Sequence, residues 1–243
     1  MLHELWITAL FNRYLSVPAN SVLKSIHFPA HDPANPWSDW MVCEIIVVLF
    51  VLIFFGIART RFSVDRPGKL QHTLEVAYEF LHAQADEVVG HQGPKYMAFF
   101  GTMFFFILFM NCIGLIPGFD SPTMYPMVPF GMAVATFIFY HATGVKANGW
   151  GYIKQFLGPI WWLAFLMLPI EILSHFARPL SLTVRLFANM FAGEQVYITF
   201  ISLTKLIIPA IFIGLHLFVS LLQAYIFTLL AMIYVGNAVS HEH

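Results

Sequence analysis

Charge is what this sequence has least of. Its 243 residues include only 12 Lys plus Arg and 13 Asp plus Glu, 10% of the chain, where a soluble domain carries about 25%. So few cations, at a formal net charge of −1, exclude the basic footprint that nucleic-acid binding needs. Cysteine is scarce too. Cys43 and Cys112 both sit inside apolar runs, which excludes a disulfide scaffold and a cysteine-built metal site. The N-terminal stretch lacks the basic start, unbroken apolar core and small-residue cleavage site of a signal peptide, and it has no Arg/Ser-rich transit character. No phosphate-binding loop is present either. What fills the chain is apolar: 59% hydrophobic residues, 26 of the chain's residues Phe, and a mean hydropathy of +0.74. A soluble globule could not hide that much apolar surface, because exposed patches beyond roughly a few hundred Å² drive association. The chain reads as a polytopic membrane protein in contact with a lipid bilayer.

A hydrocarbon core about 30 Å thick takes about 20 apolar helical residues. Charge-free windows of that kind run over 96–119, 121–145 and 206–241, and a fourth, 41–58, is interrupted only by Glu44 near its start. Glu44 reads as a snorkelling residue at a helix end. Prolines at 117, 122, 126 and 129 separate the second and third windows, and Gly144, Gly149, Gly151, Gly158 and Pro159 precede the long segment that follows. Leu70, Leu74, Ala77, Leu81, Ala85 and Val88 step by three and four and mark one face of an amphipathic helix that does not span. That helix either lies along the membrane surface or packs on the soluble side. Trp37, Trp40, Trp161 and Trp162 fit interfacial belts. Basic residues gather in alternate loops if the N-terminus is outside: Arg59, Arg61, Arg66, Lys69, Lys95, Lys146 and Lys154 inside, against Arg13, Lys24 and Lys205 outside. Five passes then leave the C-terminus inside.

Residues 155–204 carry four charges in an apolar background: Glu171, Arg178, Arg185 and Glu194. From Pro159 to Thr204 a continuous helix would be about 70 Å long, more than twice the bilayer core. It must break, with Pro169 and Pro179 as candidates, or lie strongly tilted. The expected architecture is all-α: about five membrane helices plus one amphipathic surface helix, the last two forming a long tilted hairpin. It reads as a single membrane domain over 1–243, with an outer segment at 1–40, peripheral helices at 41–145 and an ion-path hairpin at 155–237.

On an ideal wheel Glu171, His175, Arg178, Arg185 and Asn189 share an arc of about 80°. His216, Ser220 and Gln223 form a similar stripe in the next helix. Residues at equal depth in an antiparallel hairpin lie equally far from its turn. Arg185 opposite Gln223 and Glu194 opposite His216 both put that turn at 204–205. Glu194 falls about 140° from Glu171 and is expected to face away from the stripe unless the helix curves or loosens at Gly193. An embedded ionisable residue costs about 3 kcal/mol or more and usually marks transport. The alternative is internal pairing that merely joins helices. Arg185, however, lies about 21 Å along the helix from Glu171, and Glu194 is on another face, so no acid in its own helix reaches it. His141, alone in its span, reads as a satisfied or interfacial polar residue.

The run RPLSLTVRLFANMFAGE (178–194), followed by LHLFVSLLQAYIF (215–227), resembles the a subunit of the membrane (Fo) sector of F-type ATP synthases. Supporting matches are PGKLQHTLEVAYEF (67–80), FFILFMNCIGLIPG (105–118) and GYIKQFLGP (151–159). The resemblance implies a proton-translocating stator subunit that offers two half-channels to a rotating ring of c subunits, beside b-type peripheral stalk subunits and the rest of the F1Fo complex. It implies an essential arginine at Arg185, an outer half-channel at Asn189, Glu194, His216 and Gln223, and an inner one at Glu171 and Ser174, which His175 joins through its place in the stripe. A bacterial inner membrane is the expected location. Family members commonly follow a Pro-Thr pair, here Pro122-Thr123, with an Asp/Asn-rich stretch, whereas Met124-Tyr125-Pro126-Met127 stands here, and Ala188 takes a place where many have Gly.

Three other classes compete. A haem oxidoreductase would use the 11 histidines, but only His141, His175 and His216 fall in spans, without same-helix pairs, so no cofactor or metal is expected. A purely structural subunit would tolerate loss of Arg185. A stand-alone transporter would show an internal repeat, and none is visible.

Overall fold

The computed structural model describes residues 5–25, 34–63, 67–116, 118–149, 151–152, 164–203 and 207–239. The expected turn at 204–205, Trp161, Trp162, Arg66, Lys154 and the last four residues lie outside these segments. The described residues form seven α-helices and no strand. They are α1 (Trp6–Ser25), α2 (Asp39–Arg61), α3 (Lys69–Val89), α4 (Met97–Ile113), α5 (Met127–Asn148), α6 (Ala164–Leu203) and α7 (Ile207–Val239). Short 3₁₀ turns at Gly90–Tyr96 and Pro122–Met124 lead into α4 and α5.

Among the described residues four helical stretches are long and apolar enough to cross a membrane: Asp39–Arg61, Lys69–Ile113, Met127–Asn148 and Ala210–Val239. The protein is an integral membrane protein. α6 is not in that set because polar residues are spread along it. Its 40 residues nevertheless run unbroken through Pro169 and Pro179. At about 1.5 Å per residue it is about 60 Å long, twice the bilayer core, so of the two expectations, break or tilt, the break does not occur and an upright crossing is too short for it. Membrane helices tolerate proline better than soluble ones, and neither proline interrupts α6.

α4, α5, α6 and α7 pack around a core whose fully buried side chains include Phe100, Ile107, Met110, Tyr140, Leu186, Met190, Phe227, Met232 and Val235. α2 stands beside α4 through the ring contacts of Phe50, Phe54 and Phe55 with Phe105 and Phe109. Its outer face, with Leu49, Leu52, Ile53 and Ile57 exposed, suits lipid. α3 buries Leu81 and Ala85 from its apolar face, so its second half packs on other helices. It docks on α7 where Tyr225 donates to Gln84 Oε1 at 3.1 Å. Gly236 makes the close approach possible: a Cβ there would stand 2.9 Å from the Val88 carbonyl oxygen.

The first forty residues, without a motif in the sequence, contain α1. It is anchored on the start of α2 by a reciprocal pair, Asn12 Nδ2 to the Trp37 carbonyl at 3.1 Å and Trp37 N–H to Asn12 Oδ1 at 3.0 Å. The Leu5 N–H adds a bond to Asp39 Oδ1 at 3.1 Å.

Candidate functional site

The polar residues of α6 do not form one stripe buried against the bundle. Its buried positions are His175, Pro179, Leu182, Thr183, Leu186, Met190 and Glu194, an arc from roughly 20° to 140° on the wheel that puts Glu171 at zero. Glu171, Arg178 and Arg185 sit half-buried at one edge of that arc, Asn189 is exposed at the same edge, and Glu194 is buried at the other. Glu194 therefore faces the bundle rather than away from it. A wheel centred on the charges instead of on the packed face misplaces it.

Two polar clusters lie on either side of Arg185 along α6. The first is at the end bearing the 114–126 loop. Ser121 donates to the Met110 carbonyl at 2.9 Å and lies 2.8 Å from the Thr123 hydroxyl. Thr123 donates to Asn111 Oδ1 at 2.6 Å, and Asn111 Nδ2 donates to the Ser220 carbonyl at 3.4 Å. Next to this network, Glu194 and His216 line a cavity of about 10 Å³ with Gly114, Leu115, Tyr197 and Ile213. Gly193 leaves the room: a Cβ there would lie 3.1 Å from His216 Nδ1. Glu194 Oε2, His216 Nε2 and Ser220 Oγ are buried without a hydrogen-bond partner among the described residues. A buried polar atom left unpaired costs about 1–3 kcal/mol, so three together mark a place for water or a mobile proton. At the loop surface Tyr125 donates to Asp120 Oδ2 at 3.1 Å. Burial, then the Asp120 charge and this bond, push the Tyr125 phenol above its usual range, so it stays a donor.

Between the clusters, Asn189 Nδ2 donates to Gln223 Oε1 at 2.9 Å, and Gln223 is buried. The residue on Gln223 is thus Asn189, one helical turn beyond Arg185. Arg185 makes no ion pair or hydrogen bond with any described residue. Around it α6 exposes Ala177, Ser181, Ala188 and Ala192, small side chains of the kind that let another helix come close. Ser174 is exposed on the same helix.

The second cluster is at the end where Asn148 Nδ2 donates to the Ala238 carbonyl at 2.9 Å. His175 Nδ1 lies 2.9 Å from the Glu171 carbonyl oxygen and 3.4 Å from its Oε1. The Arg178 guanidinium sits over the Tyr140 and Tyr234 rings, at 6.0 and 5.2 Å from their centroids. A cavity of about 30 Å³ opens among Tyr140, Tyr152, Glu171, His175, Arg178 and Asn237, and roughly 10–15 Å³ suffices for one water. These acids, imidazoles and hydroxyls can pass protons. Among the described residues no three His, Cys, Asp or Glu side chains gather as a metal site requires.

Asn111, Ser121, Thr123, Tyr140, Tyr152 and Tyr234 were not marked by spacing in the sequence. The available signal for the first three was polarity interrupting apolar or proline-rich runs. The tyrosines gave none.

Comparison with known proteins brings these features together. A family model described as ATP synthase A chain matches residues 41–236. The chain is 54% identical over 235 residues to the ATP synthase subunit a of Solibacter usitatus, covering 96% of this chain and 100% of that protein. It is 48% identical to that of Koribacter versatilis, over 100% of both. With ATP synthase subunit a 1 of Syntrophotalea carbinolica the identity is 42%, over 80% of this chain and 84% of the other.

Proposed function

The chain belongs to the ATP synthase A chain family, as a subunit of the membrane (Fo) sector of F-type ATP synthase, and from that premise we propose that it is the stator subunit that moves protons past a rotating ring of c subunits. The observation that carries this reading is Arg185: a guanidinium at the edge of a membrane helix, between two separate polar clusters, with no acid among the described residues paired to it.

In this mechanism each ring carboxylic acid passes Arg185. Arginine stays protonated and is weakly hydrated and multidentate. At about 4 Å and an effective dielectric near 20 it attracts a carboxylate by about 4 kcal/mol, which favours the ionised form during passage. Away from it, desolvation in lipid keeps the acid protonated. The fixed charge also repels a cation taking a short cut between the clusters. A proton therefore enters by one cluster, rides the ring and leaves by the other. Asn189, Glu194, His216 and Gln223 serve the outer half-channel, and Glu171, Ser174 and His175 the inner one. Each charge moving through 100 mV releases about 2.3 kcal/mol, so several pass per ATP. Nucleotide chemistry belongs to other subunits of the complex, and b-type stalk subunits hold this one against rotation. The membrane is the bacterial inner membrane, with the loop bearing Asp120 outside and the Asn148 end in the cytoplasm.

Arg185→Ala tests the reading. In inverted vesicles containing the whole complex, ATP-driven quenching of a pH dye is expected to vanish while the subunit remains assembled. Full pumping by that variant would remove Arg185 from the mechanism. Running the assay with and without Na⁺ identifies the coupling ion.

A further inference from the structure

The inner cluster contains two residues that the mechanism above does not use. His141 is half-buried on α5, and Tyr152 is buried just beyond that helix. They meet closely: the Tyr152 hydroxyl lies 2.7 Å from His141 Nδ1. The fold holds them together at some expense in sequence freedom. Gly149, with φ +53°, ends α5 and turns the chain, and the Tyr152 N–H donates to the Gly149 carbonyl at 3.3 Å. The phenol ring then lies flat on α5 at Gly144, where a Cβ would come within 2.5 Å of ring carbon Cε2. A phenylalanine would pack there equally well, so the hydroxyl is the part that packing does not account for. The His141 ring also stacks on His175, with centroids 5.2 Å apart and planes at 29°.

Tyr152 lines the 30 Å³ cavity that contains Glu171, His175 and Arg178, and His141 does not. The hydroxyl is therefore the bridge between a half-buried imidazole and a partly open cavity large enough for water. We propose that His141 and Tyr152 form the loading end of the inner half-channel, His141 as the proton-carrying group and the Tyr152 hydroxyl as the link to the Glu171–His175 cavity. This rests on the reading of α6 and α7 as a proton path. In the cytoplasm-to-ring direction His141 takes a proton from the aqueous side on Nε2 and gives its Nδ1 proton to the phenol oxygen. The phenol passes its own proton to cavity water, so no phenolate accumulates. Burial, partly offset by Arg178, pushes the Tyr152 phenol up to about 12, which keeps it protonated and available as a bridge.

Among the described residues the titratable and charged groups beside His141 include Tyr140 on its own helix, Tyr152 beyond it, and His175 and Arg178 on α6, with Glu171 next to His175 and Tyr234 next to Arg178. Arg178 beside two imidazoles disfavours charging both together, so protons pass singly.

The test is ATP-driven proton uptake by inverted vesicles carrying the complete complex, since the medium then bathes the inner half-channel. Initial rates are followed from about pH 6 to about pH 9, the range that spans imidazole titration. His141→Ala is expected to pump nearly normally at the acid end and to fall about tenfold or more at the alkaline end, as loss of a positioned proton carrier predicts. Imidazole added to the medium should restore it relative to wild type given the same addition. Tyr152→Phe, which keeps the ring on Gly144, should show the same alkaline loss without rescue. Rates within twofold of wild type at every pH for both variants would overturn the proposal. A pH-independent loss in His141→Ala that imidazole leaves untouched would also overturn it, as that is the mark of a packing role. Arg185→Ala in the same assay separates the two ideas: if it pumps, the stator reading fails, and if it is silent while His141 and Tyr152 prove dispensable, only the relay fails.

Discussion

A guanidinium at half-burial on a membrane helix is unusual only if nothing balances it, and along α6 the contrast is direct. Arg178 has two tyrosine faces and Arg185 makes no ion pair or hydrogen bond with a described residue. The same contrast holds for acids, because Glu171 has His175 at 3.4 Å whereas Glu194 keeps a buried oxygen unpaired. Groups left unsatisfied at a buried position point to a transient occupant. Glu194 and His216 share one small cavity, so exchanging them should conserve its acid–base content. Glu194→His with His216→Glu is expected to retain more proton pumping than either single change, a coupling that a double-mutant cycle measures. Strictly additive losses would show that the two do not act together. Both residues could be paired from the sequence, because hairpin register is a matter of counting. Their surroundings could not, since Asn111 and Thr123 come from α4 and a loop.

At the scale of elements, α6 shows how far local pattern carries. Its length follows from an apolar run without glycine before position 193, but that its two prolines do not end it was decided only in the structure. Its buried face, however, is set by the helices it crosses, and the polar stripe lies at one edge of that face. α3 gives the complementary case. Its three-and-four spacing marks the packed face correctly, and the structure selects helix packing for its second half. The contact with α7 depends on Gly236, whose missing side chain admits the Val88 carbonyl. Gly236→Val should force the two helices apart at a cost of about 1–3 kcal/mol, typical of overpacking. The expected result is less assembled complex and a lower melting temperature in detergent, with Gly214→Ala, at a position where a Cβ meets nothing, as the neutral comparison.

For the whole molecule, the proposed topology takes α2, α4, α5, α6 and α7 as five passes and, from the distribution of Lys and Arg, sets the C-terminus on the cytoplasmic side. A reporter active only in the cytoplasm, fused after His243, should be active, and the same reporter fused before Met1 should be silent; the reverse pattern would invert the assignment of the two half-channels. The sequence by itself determined that this is a helical membrane protein, where its apolar helices run, that α6 is too long to stand upright, and that Arg185 lacks an acid in its own helix. Those are properties of composition, period and spacing, and they are local. Only the tertiary structure decided which side of α6 is buried, that Glu194 turns inward, that Asn189 rather than Arg185 holds Gln223, and that Tyr152 lies on Gly144 against His141. Such contacts join residues as far apart as Asn111 and Ser220. They depend on how helices cross and on where a glycine lets one backbone approach a neighbour, which no period along the chain encodes.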